Sequence, residues 1–129
     1  MDVVGRLRAA LLPRRDIRVA LLFGSEARKT ARPDSDVDVA VLAPGVDRLA
    51  LAAALSDAVA REVQVVDLSD PPLPLLEEIV RDGVVLGEAQ PGVAALWRSH
   101  ALTTLETDRP WYARMQVAWL RRVAERGVL

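Results

Sequence analysis

A chain of 129 residues has room for one compact domain and too little for two. Its 51% hydrophobic and 27% charged content, with a mean hydropathy of +0.16, excludes a predominantly disordered chain. A net charge of −1 argues against nucleic-acid binding by broad phosphate neutralisation, and the lack of cysteine excludes disulfides, thiolate metal sites and a thiol nucleophile.

The chain opens with acidic Asp2 and no cleavable apolar stretch, and no apolar run reaches the ~20 residues of a membrane span. A cytoplasmic location without membrane contact is therefore expected. Val3, Val4, Leu7, Leu11 and Leu12 recur near helical spacing and stop at Pro13, which predicts a helix over residues 2–12. Ile17 to Phe23 is a nearly unbroken apolar run closed by Gly24, the pattern of a buried strand. Residues 25–35 are polar and predict a loop with room for one helical turn at its start. D-V-D-V-A-V-L, from Asp36 to Leu42, predicts a second strand. An Ala- and Leu-rich helix follows over 46–61, and V-Q-V-V-D-L predicts a third strand over 63–68. The prolines within 70–74 exclude regular structure there. A helix over 75–81 ends at Gly83, and a short fourth strand covers 84–86. Residues 87–92 form a linker to two helices, over 93–106 and 110–126, the second opened by Pro110. The class is α/β (α+β), with residues 1–90 as a core domain and 91–129 as a C-terminal helical extension.

Chemistry concentrates between residues 24 and 42. In a strand, residues i and i+2 share a face, so Asp36 and Asp38 present two carboxylates side by side. Aspartate is depleted in strands and like charges on one face repel, so a positive partner is required. A hard divalent cation with oxygen ligands fits, and Mg²⁺ is often held by a few carboxylates together with substrate phosphates. Gly24 and Ser25 leave the first strand at a turn where backbone N–H groups can meet an anion, and Arg28 lies one turn on. Asp67 again interrupts an apolar strand. If that strand lies beside the second, three carboxylates converge, enough for two metal ions in a phosphoryl-type displacement. The plain alternative is that an Asp at a strand end serves only as a turn residue or helix cap. Glu26 and Asp34 read as solvated, Glu26 with nucleotide contact as a second option.

Gly24-Ser25, ten intervening residues, then Asp36-x-Asp38 opening a strand, with Ala27, Arg28 and Ser35 in place, resembles the minimal nucleotidyltransferases of the DNA polymerase beta-like superfamily. The resemblance is carried by residues 17–42 and extends to about residue 87. It departs at Lys29, where the family often has glycine. It implies a small mixed sheet flanked by helices. It also implies two Mg²⁺ ions held by Asp36 and Asp38, with Asp67 as the third carboxylate and the group that takes the acceptor proton. Gly24 and Ser25 would hold the β- and γ-phosphates of ATP, with Arg28 and Ser35 as further nucleotide contacts. Such proteins are commonly the antitoxins of HEPN-domain ribonuclease toxins, transferring AMP from ATP to a tyrosine of the toxin.

A remainder of about forty residues is short for a substrate domain, which favours an acceptor brought by another protein. Trp97, Trp111, Tyr112 and Trp119 all lie in that remainder, and Trp and Tyr are favoured interface anchors. Packing of these residues on the chain's own sheet is the other reading. Two alternative functions stay open at this point, a transferase acting on a small aminoglycoside-like molecule and a non-catalytic antitoxin that neutralises by binding alone.

Overall fold

In the computed structural model, which describes residues 2–126 and leaves out the side chains at 109, 112, 113, 116, 119, 123, 125 and 126, the fold is laid down by four strands. They are β1 (Val19–Phe23), β2 (Val37–Leu42), β3 (Val63–Asp67) and β4 (Val84–Glu88), in sheet order β3-β2-β1-β4. β1 runs antiparallel to both β2 and β4, whereas β2 and β3 are parallel. Parallel neighbours need a crossover, supplied here by α3 (Arg48–Val59), whose first turn is capped by the Asp47 carboxylate accepting from Ala50 N–H at 3.1 Å. The sheet is mixed, as expected.

Every side chain of β1 is buried, because helices cover both faces. On one face α1 (Val3–Leu11) and α3 enclose Leu7, Leu22, Val39, Leu51 and Leu55. On the other, α4 (Leu73–Asp82) and the start of α5 (Val93–Arg126) close over Leu21, Phe23, Ala40 and Ile79. Between β1 and β2 the chain makes one short helix, α2 (Gly24–Ala27). The core is aliphatic apart from Phe23 and the half-buried Trp97, which packs on the α4 side.

Three boundary expectations are corrected. α4 begins at Leu73, inside the proline-rich stretch, with Pro74 in its first turn. A first-turn proline gives up only an N–H that has no intrahelical acceptor. Gly87 and Glu88 belong to β4 rather than to a linker, and the Glu88 carboxylate accepts from Gly92 and Ala94 N–H at 3.0 Å each, tying the start of α5 to the sheet. The two C-terminal helices are one, with Pro110 inside it. The Pro110 ring leaves the Glu106 carbonyl without its intrahelical donor, a local loss that the helix formers on either side carry. α5 buries Ala94, Ala101 and Leu105 and binds the Val80 carbonyl through Arg98 Nη1 at 2.6 Å. Among the described residues none beyond Leu105 is buried, and Trp111, Met115, Val117 and Leu120 are exposed. Tyr112 and Trp119 lie outside the described side chains.

Candidate active site

The turn after β1 and the start of β2 form one site because the two strands are antiparallel neighbours. Phe23 pairs with Asp38, so the chain leaves β1 beside the residue at which the second carboxylate enters. Gly24 adopts φ +75°, and a Cβ there would collide with Asp38 Oδ2. The backbone conformation favours glycine here, and its missing Cβ lets the carboxylate come close. Ser25, the first residue beyond it, makes no side-chain hydrogen bond among the described residues.

Asp36 is exposed and Asp38 half-buried, and strand alternation sets both toward the α4 side of the sheet. Burial pushes the Asp38 carboxyl above the ordinary carboxylate range. Glu78 of α4 and Asp36 push it further, while Arg28 opposes them. These are two hard oxygen donors on one face, with negative charge that Arg28 offsets only in part. The donor set suits a divalent cation such as Mg²⁺ shared with phosphate oxygens.

Asp67 does not join them, which corrects the expected three-carboxylate cluster. The β2–β3 register pairs Asp38 with Gln64 and Val41 with Asp67. Paired residues share a face and successive ones alternate, so Asp67 falls on the opposite face from Asp38, three residues or about 10 Å further along the strand. It takes the plain role of a strand-end aspartate, accepting from Ser69 N–H at 2.9 Å and Ser69 O–H at 2.8 Å. Those bonds hold its carboxyl below the ordinary range. It lines a hollow of about 340 Å³ with Arg48 and Ser69, away from Gly24, Asp36 and Asp38. The side chain beside the Asp pair is Gln64, whose Nε2 donates to Asp36 Oδ2 at 2.9 Å. One polar residue inside V-Q-V-V was its signal, outweighed by the carboxylate three residues on.

The other motif residues shape the loop. Arg28 Nη1 binds the Asp82 carboxylate at 2.9 Å and lies 3.6 Å from Glu78, so it pins α2 to α4 beside the site. The Ser35 hydroxyl accepts from Arg32 N–H at 2.9 Å and closes the loop that leads into β2. Lys29 has φ +60°, the left-handed conformation that a glycine holds without strain and a lysine does not. Glu26 is not solvated. Its carboxylate accepts from Arg61 Nη1 at 2.8 Å, while Arg61 Nη2 donates to the Ser35 carbonyl at 2.7 Å and the Arg32 carbonyl at 3.3 Å. Arg61 thereby fastens both ends of the loop between Ser25 and Asp36. No local pattern marks it, since its partners lie 26 to 35 residues away.

Comparison with known proteins agrees with this arrangement. None of the curated proteins matches the chain. Among solved structures, a chain of a toxin–antitoxin crystallised with AMP-PNP superimposes with a TM-score of 0.71 at 24% identity, covering 90% of this chain and 98% of that one. A chain of the toxin–antitoxin MntA-HepT gives 0.66 at 22%, covering 91% and 97%. A chain from the tri-AMPylated Shewanella oneidensis HEPN toxin in complex with MNT antitoxin gives 0.67 at 22%, covering 91% and 96%. The family model for polymerase beta nucleotidyltransferases matches residues 7–91, the span that carries all four strands, the Gly24-Ser25 turn and Asp36-x-Asp38 at the start of β2, and the chain belongs to that family.

Proposed function

We propose that this protein is the antitoxin of a HEPN toxin–antitoxin pair and acts as a protein adenylyltransferase, moving AMP from ATP to a tyrosine hydroxyl of its partner toxin. The observation that carries the reading is the fit of Gly24 against Asp38, which puts the phosphate-binding turn and the Asp pair in contact. Its likeness to antitoxin complexes, one with AMP-PNP and one with a tri-AMPylated toxin, supports nucleotide and partner alike.

In this reading the turn at Gly24 and the free Ser25 hydroxyl hold the β- and γ-phosphates, while Arg28 and Arg61 keep that turn in place. Asp36 and Asp38 would hold Mg²⁺, which when bound supplies charge neutralisation for the triphosphate. The tyrosine oxygen attacks the α-phosphorus and gives up its hydroxyl proton to water, a new P–O bond forms, and pyrophosphate leaves with the old bridging oxygen. The distal half of α5 serves the partner. Val117 and Leu120 are exposed there beside Trp111, Met115, Arg114 and Arg121, and Trp, Met and Arg are residue types enriched at protein interfaces.

Incubation with α-labelled ATP, Mg²⁺ and a candidate HEPN-domain toxin as acceptor tests the reading. Labelled toxin is expected, and a folded Asp36→Asn, Asp38→Asn double variant should transfer about a thousandfold less or worse, the several kcal/mol a metal clamp contributes. Unchanged transfer by the double variant sinks the assignment. Full neutralisation of the toxin by that variant would show that binding alone suffices.

A further inference from the structure

We propose that Gln64 limits this active site to one firmly held divalent cation, by setting a neutral amide where a second ion needs a third carboxylate. The inference rests on the reading of Asp36 and Asp38 as metal ligands. It concerns how many ions the chain's own residues can support.

The register of β3 against β2 decides which side chain stands beside the Asp pair. Gln64 is opposite Asp38, and the next β3 residue on that face is Val66, which packs into the apolar cluster beneath α4. Gln64 is therefore the one β3 side chain on this face within reach of both aspartates. Its amide N–H holds Asp36 Oδ2 at 2.9 Å, which occupies one of the four carboxylate oxygens with a hydrogen bond. The amide oxygen left over carries no charge. Two dications about 4 Å apart repel strongly, and two-metal sites offset this with anionic ligands shared between the ions. β2 itself sets two carboxylates on this face, Asp36 and Asp38. Among the described residues no group of three His, Cys, Asp or Glu side chains is placed to hold a metal. Glu78, whose charge reaches Asp38 from α4, faces Arg28 at 3.6 Å, and Asp67 is on the other face. Gln64 is exposed on an edge strand, so its replacement is compatible with folding.

The test counts Mn²⁺ ions bound in the presence of a non-hydrolysable ATP analogue, by the electron paramagnetic resonance signal of free Mn²⁺, for the unaltered protein, Gln64→Asp and Gln64→Ala. One ion is expected for the unaltered chain and for Gln64→Ala, and two for Gln64→Asp. With the toxin as acceptor, Gln64→Asp should also reach half-maximal transfer at about 10- to 100-fold lower metal concentration, the scale on which ligand-shell changes act. Two ions of similar affinity in the unaltered protein would overturn the inference while leaving the proposed function intact. A single ion in Gln64→Asp, with Gln64→Glu giving the same count, would overturn it as well. Failure of the unaltered chain to bind any ion would instead refute the reading of the Asp pair.

Discussion

The two ends of the β2–β3 pair treat an aspartate in opposite ways. At the start of β2, Asp38 is half-buried, crowded by Asp36 and Glu78, and its carboxyl is pushed up. At the end of β3, Asp67 has two donors from Ser69 and its carboxyl is pulled down. A carboxylate whose donors come from its own chain belongs to the fold. One left desolvated among like charges weakens the fold and is a candidate cation ligand. The difference separates a structural turn from a site within one small sheet.

The strongest way to break the contrast is to release the end that carries the site. Arg61→Ala removes the guanidinium that ties Glu26 to the Ser35 and Arg32 carbonyls. It is expected to cost about 2 kcal/mol, because Glu26 is left partly buried without its partner. Chemical denaturation measures this. Nucleotide affinity should fall with stability, since the freed loop joins Ser25 to Asp36.

Paired Asp→Asn variants sharpen the contrast further, through its dependence on pH. Asp67 has a depressed carboxyl, so its contribution is present above the ordinary value of 3.8 and is lost as pH falls through the folded value. Asp67→Asn should lower stability at neutral pH by under about 1 kcal/mol, the discount proper to an exposed group, and leave transfer unchanged. Asp38 has a raised carboxyl, so without metal the fold loses stability as pH rises from 3.8 through the folded value. Asp38→Asn should therefore raise the neutral-pH melting temperature of the metal-free protein while abolishing transfer. Melting curves from pH 3 to 8 that shift in the same sense for both variants would erase the distinction. The smallest effect belongs to Lys29→Gly, which relieves a left-handed lysine. It should stabilise by a few tenths to about 1 kcal/mol, since glycine also adds freedom to the unfolded chain.

Helix α5 shows the same division along one element. Up to Leu105 its buried residues, Ala94, Ala101 and Leu105, fall at helical spacing against α4, and Trp97 packs there too. Beyond it, Trp111 stands 57% exposed and does not cover the chain's own sheet. Proline favours the first turn of a helix, so Pro110 reads locally as a helix start. In the fold it lies inside α5, because a helix already anchored by packing and by Glu88 can run through one lost hydrogen bond.

What the residues alone determined is what depends on neighbours in the chain. Alternation put Asp36 and Asp38 on one face, the apolar runs marked four strands, and Gly24-Ser25 marked the turn that closes β1. The lysine at a position that favours glycine was visible as a departure, and its positive φ gives the physical reason. What only the tertiary structure decided is how segments far apart in the chain align. A shift of β3 by one residue reverses which side chains face the site, and no local preference fixes that pairing. The register chose Gln64 over Asp67, and the packing of α3 and α4 around the sheet brought Arg61 and Glu78 to a loop that neither adjoins in sequence.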